Sequence, residues 1–208
     1  CDFNVVRERG REAEKAALID AMVADLRAQA ARLGPRRLAS IFFGGGTPSL
    51  MPPEGAARLI DTARRLFPAT DKVEITLEAN PTDAETARYR AFAEAGVNRL
   101  SLGIQSLNDD ALKFLGRDHS AAEARRAVEA AQSAFGRVSI DLIYARPDQT
   151  AAAWRAELTE ALALGPEHIS PYQLTIEAGT AFGKAYERGA LVPPGEDAQE
   201  DLYDLTQA

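Results

Sequence analysis

Two acidic residues stand directly at the end of apolar, alternating runs. Glu78 closes Val73-Glu74-Ile75-Thr76-Leu77, and Asp141 closes Val138-Ser139-Ile140. A third run, Leu38 to Phe43, empties into Gly44-Gly45-Gly46-Thr47, and a fourth, from Arg99 to Leu102, leads to Gly103 and Gln105. A fifth, from His168 to Leu174, carries Tyr172 and Gln173 near its end. In parallel α/β proteins ligands bind at the carboxyl ends of the strands. Five strand ends finishing in glycine or in hydrogen-bonding groups therefore mark one ligand-binding face. Contiguous glycines let a backbone come close to a ligand with its N–H and C=O groups bare. The triplet is not a phosphate loop, because no Lys-Ser/Thr follows at the required spacing. Nor is it a GxGxxG fingerprint, since Ser49 stands where the last glycine belongs. Hydrolytic and zinc chemistry find no support: there is no GxSxG elbow, and His119 and His168 lie in different segments without a cysteine nearby.

These strand ends must be positioned by helices, and the intervening text supplies them. Helical spacing runs from Arg11 to Leu33 (Ile19, Met22, Val23, Leu26), from Pro53 to Phe67, and from a cap at Thr82 or Asp83 to about Ala95. It returns at Asp109 to Leu115, Ala121 to Ala134 and Ala151 to Leu164. Thr47-Pro48 suits the start of a helical turn. Five strands alternating with helices predict βαβ units and a parallel sheet. Trp154 and its Leu/Ala neighbours read as a helix face in the core. His119, in Gly116-Arg117-Asp118-His119-Ser120, reads as a solvated loop residue, and His168 as structural. After Gly179 the pattern changes: a short helix from Phe182 to Glu187, a linker at Val192-Pro193-Pro194-Gly195, and a further helix from Glu196 to Gln207. The expected division is 1–178 for the barrel-like unit and 179–208 for a linker and the start of another domain.

Over 208 residues, 46% hydrophobic and 26% charged content excludes wholesale disorder. A net charge of −7 with no Lys/Arg tract argues against a nucleic-acid partner. No apolar run approaches the roughly 20 residues of a membrane helix, so no stable membrane anchor is expected. The single cysteine, Cys1, rules out an internal disulfide framework and fits a reducing compartment, with the cytoplasm as the expected location. Cys1 in place of an initiating Met could also begin a mature lipoprotein, but Asp2-Phe3-Asn4-Val5-Val6 is too compact and apolar for a tether. A chain cut from something longer is the better reading.

As a set, the strings resemble one family. Cys1-Asp2-Phe3-Asn4 looks like the end of the CxxxCxxC cluster motif of radical SAM proteins, and Phe43-Gly44-Gly45-Gly46-Thr47-Pro48-Ser49 resembles their glycine motif. Leu77-Glu78-Ala79-Asn80-Pro81, Gly96 to Ser106, Leu115-Gly116-Arg117 and Asp141-Leu142-Ile143-Tyr144 are similar to the oxygen-independent coproporphyrinogen III oxidase group. Asp-Phe-Asn after the cysteine is similar to that group's heme-chaperone (HemW) branch, since the oxidases carry a further cysteine there.

The resemblance implies an α/β fold, a partial (β/α)6-type barrel lacking its first strand and followed by the start of a C-terminal extension. It implies a [4Fe-4S] cluster with Cys1 as one of three thiolate ligands, and S-adenosylmethionine (SAM) chelated at the open iron. Gly45 and Glu78 match positions that contact this SAM. Gly46, Thr47, Gln105, Arg117 and Asp141 match positions around a second SAM in the oxidase, a space that a tetrapyrrole edge can also fill. Arg117 is the natural partner for a carboxylate of either ligand. Implied partners are SAM, heme or coproporphyrinogen III, an electron donor such as flavodoxin or ferredoxin, and a heme-acceptor protein. Ala145-Arg146-Pro147 departs from the more usual Gly-Leu-Pro after Asp141, which puts the core contacts there in question.

Three functions follow as expectations. The first is a heme chaperone of the radical SAM type. The second is an oxygen-independent coproporphyrinogen III dehydrogenase, removing carbon dioxide and hydrogen from two propionates. The third is a plain α/β binding module without redox chemistry.

Overall fold

A computed structural model describes residues 12–208. Cys1 lies outside the described residues. The elements follow one another as α1 (Glu12–Leu33), β1 (Leu38–Phe43), a 3-10 turn (Pro48–Leu50), α2 (Pro53–Leu66), β2 (Ala69–Ala79), α3 (Asp83–Thr86) and α4 (Tyr89–Glu94). Then come β3 (Arg99–Gln105), α5 (Asp109–Phe114), α6 (Ala121–Ala134), β4 (Arg137–Tyr144), α7 (Ala151–Ala163), β5 (His168–Gln173), α8 (Ala181–Glu187) and α9 (Glu196–Gln207). All adjacent strands pair in parallel, in the sequential order β1-β2-β3-β4-β5.

Alternation along the strands gives the sheet two unlike faces. Ile75 and Leu77 on β2, Leu100, Leu102 and Ile104 on β3, and Ile140 and Leu142 on β4 are fully buried and pack against the helices. The intervening positions are Glu74, Thr76 and Glu78, then Arg99, Ser101 and Gly103, then Arg137, Ser139 and Asp141. Polar side chains therefore predominate on the other face of these three strands. On the apolar side Trp154 of α7 stacks on Tyr144 at 5.3 Å, and its indole N–H donates to Thr206 Oγ1 of α9 at 2.8 Å. Leu202 of α9 is buried in the same core, which ties α9 to α7.

Four elements differ from the sequence reading. β2 begins at Ala69 rather than Val73, and β3 and β4 run on to Gln105 and Tyr144. The single helix expected from Thr82 to Ala95 is two, broken before Tyr89. The break lies where long-range polar contacts take over. The Arg88 guanidinium donates to the carbonyls of Ser49 (2.7 Å) and Met51, and buried Glu85 accepts from Ser49 Oγ and from the Asn80 amide N–H at 2.8 Å. These bonds pin the start of the helical segment to the loop after the glycine triplet.

Candidate functional site

A cleft of about 670 Å³ opens at the carboxyl ends of the strands. Of the residues singled out in the sequence, Gly46, Thr47, Glu78, Gln105, Arg117 and Asp141 all line it. Gly45 stands beside them, donating its N–H to Glu78 Oε2 at 3.1 Å. Asn80, Ser101, Tyr172, Gln173, Thr175 and Glu177 add to the polar lining.

The glycine triplet is shaped by close approach and by φ. A Cβ on Gly44 would lie 2.6 Å from the Phe42 ring and 3.2 Å from Glu78 Oε2. Gly45 and Gly46 have φ of 81° and 57°, a region that only glycine enters freely. Open space lies where their Cβ atoms would stand. Gly103 answers a different demand: a Cβ there would sit 2.7 Å from Gln105 Nε2, because the Gln105 side chain folds back over it.

Among the described residues no ion pair closes Glu78, Asp141 or Arg117, although Arg99 acts on Asp141 and Asp118 on Arg117 at longer range. Burial pushes the Asp141 carboxyl above its ordinary pKa, nearby Glu78 adds to this, and hydrogen bonds from Ser170 and Ser101 pull the other way. Burial pushes the Arg117 guanidinium down from its ordinary pKa, but the group stays cationic. Its buried Nε has no hydrogen-bond partner, and among the described residues no carboxylate comes within ion-pair range. An orphaned donor of this kind calls for a partner from outside the chain. Carboxylates, side-chain amides and a cation around a single space can hold a ligand bearing both an ammonium and a carboxylate.

His119 is a correction to the sequence reading. It is buried, not solvated, and its Nε2–H donates to the Ile104 carbonyl at 3.0 Å. Burial holds its pKa below the usual imidazole value, so it is neutral near pH 7. The Ser120–Glu123 capping box at the start of α6 fixes its place. With Nε2 committed to a carbonyl, that nitrogen is not free to ligate iron.

Two buried polar groups behind the cleft escaped the sequence reading. One joins Ser49, Asn80, Glu85 and Arg88, as above. The other joins Ser106, Arg146 and Glu157, with Arg146 and Glu157 each 8% exposed and Arg146 Nη2 2.5 Å from Glu157 Oε2. A signal was present: Glu157 falls on the Trp154–Ala161 stripe of α7, and Glu85 precedes Tyr89 and Phe92 by helical steps. A carboxylate on a buried stripe implies a polar partner. Arg146 of the Ala145-Arg146-Pro147 segment is thus held by this ion pair.

Comparison with known proteins follows the same lines. The radical SAM superfamily profile matches residues 1–159. The chain is 46% identical over 168 residues to "Radical S-adenosyl methionine domain-containing protein 1, mitochondrial" of Danio rerio, covering 80% of this chain and 38% of that protein. It is 41% identical over 208 residues to the heme chaperone HemW of Haemophilus influenzae, covering 98% of this chain and 53% of that one. Among solved structures, the coproporphyrinogen III oxidase HemN of Escherichia coli, a radical SAM enzyme, superposes with a TM-score of 0.81 at 23% identity. That likeness covers 99% of this chain and 47% of the oxidase, and shows a common fold. The chain spans about half the length of the curated relatives it matches. With its parallel α/β sheet built as in HemN and the superfamily profile matched over most of its length, the chain belongs to the radical SAM superfamily.

Proposed function

We propose that the intact protein is a heme chaperone of the radical SAM type, holding SAM and a [4Fe-4S] cluster and passing heme to acceptor proteins in the cytoplasm. The observation that carries this reading is the cleft, which Glu78, Asp141 and Gln105 line together with Arg117, whose Nε has no hydrogen-bond partner among the described residues. The donor set fits SAM. Glu78 and Asp141 accept from its ammonium or ribose hydroxyls, Gly45 and Gly46 leave room for close approach, and Arg117 takes its carboxylate. Gln105 and Thr47 add neutral hydrogen bonds. Cys1 is one thiolate ligand of the cluster. Bound SAM supplies one-electron chemistry that no side chain here can perform. Among the described residues no group of three His, Cys, Asp or Glu is arranged to hold a metal. Relatives named heme chaperone, 32–41% identical over most of this chain, support the reading. An electron donor of the flavodoxin or ferredoxin kind and a heme-acceptor protein are the partners it requires. The cytoplasm is supported by the lone cysteine and by the absence of a membrane-length apolar helix among the described residues, although other relatives carry mitochondrial names.

The test is to titrate hemin into the intact protein and its Arg117→Ala variant, and to assay both anaerobically for coproporphyrinogen III conversion with a reductant. Heme binding without product, little changed by the substitution, is the expected result. Robust product formation by the wild type would replace the chaperone with a coproporphyrinogen III dehydrogenase. In parallel, Cys1→Ser should abolish the cluster's charge-transfer absorbance, and iron and sulfide at wild-type stoichiometry would remove Cys1 from the ligand set.

A further inference from the structure

Gln105 is held in an unusual backbone conformation. Its φ is +63°, and the Ser106 N–H donates to the Ile104 carbonyl, two residues back, at 2.8 Å. This is a γ-turn of the positive-φ kind, rare and strained for a residue with a side chain. The β3–β4 register shifts at the same point, between Leu102 and Gln105. The turn brings the Gln105 amide back across Gly103 and into the cleft. Strain of this kind persists only where the surroundings over-determine it.

The surroundings that do so begin at the next residue. Ser106 is fully buried; its Oγ donates to Glu157 and accepts from Arg146 Nη1 at 2.9 Å and from the Asn108 N–H at 3.2 Å. Glu157 Oε1 also accepts the Leu107 N–H at 2.9 Å. The turn after β3, the turn after β4 and helix α7 thus meet at one ion pair. Ala145, beside Arg146, has φ of +58°, so strained backbone flanks the pair on both strands. A buried ion pair gains little net stability over apolar packing, because desolvation offsets the attraction. What it supplies, and apolar side chains cannot, is a set of directed bonds to Ser106 Oγ and the Leu107 N–H.

We propose that Ser106, Arg146 and Glu157 form a buried clamp that holds Gln105 in its strained turn. Arg146 and Glu157, which do not line the cleft, are thereby positioning residues for the ligand that Gln105 contacts. The inference rests on the cleft being the ligand site.

Two measurements test it. In the chain without ligand, Arg146→Leu should speed amide exchange at Ser106 and Leu107 at least about tenfold, with Leu100 in the same strand unchanged. In the intact, cluster-reconstituted protein, Gln105→Ala and Arg146→Leu should each weaken SAM binding about tenfold. The double variant should bind no more weakly than either alone, because Arg146 acts through Gln105. If Arg146→Leu does not fold, Ser106→Ala removes a single hydroxyl from the clamp and replaces it in both experiments. Unchanged exchange at Ser106 and Leu107, or additive losses of affinity, would overturn the clamp. A wild type that binds no SAM would overturn the reading of the cleft instead, and the exchange measurement alone then decides the clamp.

Discussion

At the amino ends of the strands, Glu74 of β2 is paired with Arg137 of β4, and Arg137 Nε lies 2.7 Å from Glu167. Nearer the carboxyl ends of the same two strands, on the same face, stand Glu78 and Asp141, and no cation among the described residues forms an ion pair with either. The titration behaviour diverges accordingly. The hydrogen bond from Arg137 pulls the Glu167 carboxyl below its ordinary value, whereas burial pushes that of Asp141 above it. Charges at the base are matched within the protein. Charges at the mouth are desolvated and left open, together with an arginine nitrogen that lacks a partner. Four residues along one strand therefore separate a carboxylate that closes the base from one available to a ligand.

This contrast breaks most visibly at Arg117. Arg117→Ala should weaken SAM binding by about one to two orders of magnitude, the loss of a charge-assisted hydrogen bond of about 1.5–3 kcal/mol. Its Tm should not fall, since the guanidinium has no hydrogen-bond or ion-pair partner among the described residues. Isothermal titration and thermal melts on the same samples check both halves.

Asp141→Asn sharpens the contrast through stability. A carboxyl whose folded pKa is raised contributes stability that is fully present below the ordinary carboxylate pKa, near about 4, and is lost as pH rises through the raised value. The Asn variant should therefore melt higher than the wild type at neutral pH, with the gain gone below about pH 4. A lower Tm at pH 7 would mean that Asp141 is paired in a way the geometry does not show.

His119 titrates with the opposite sign. Its folded pKa is lowered, so stability present above about pH 6.5 is lost as pH falls from there toward the lowered value, because the unfolded chain takes up the proton first. Denaturant melts across that window should show the loss in wild type and not in His119→Gln. The smallest effect belongs to the base. Arg137→Ala breaks exposed ion pairs, so it should lower Tm only slightly, less at high salt, and leave SAM affinity unchanged.

Much of this was legible because strand ends announce themselves locally. The bounds of β1, α6 and α9 match the sequence reading, and at α6 Ser120 and Glu123 form the capping box that starts the helix. Gly46, Thr47, Glu78, Gln105, Arg117 and Asp141 reach one cleft because parallel strands bring all their carboxyl ends to one side. What stayed hidden was tertiary. The neighbours of His119 in the chain suggested a solvated loop, while the Ile104 carbonyl that orients it lies fifteen residues away in sequence. Arg146 finds Glu157 across a turn and a helix, and the break before Tyr89 comes from bonds to residues near Ser49. Periodicity records which face is apolar. It does not record which buried carboxylate meets which donor.

The central claim is that the open carboxylates bind ligand and the paired ones do not. The most direct test is the SAM dissociation constant of the intact, cluster-reconstituted protein carrying either Glu78→Gln or Glu74→Gln. Glu78→Gln should weaken binding by about ten- to a hundredfold, and Glu74→Gln should match the wild type. Equal losses in both variants, or unchanged binding in Glu78→Gln, would contradict the account.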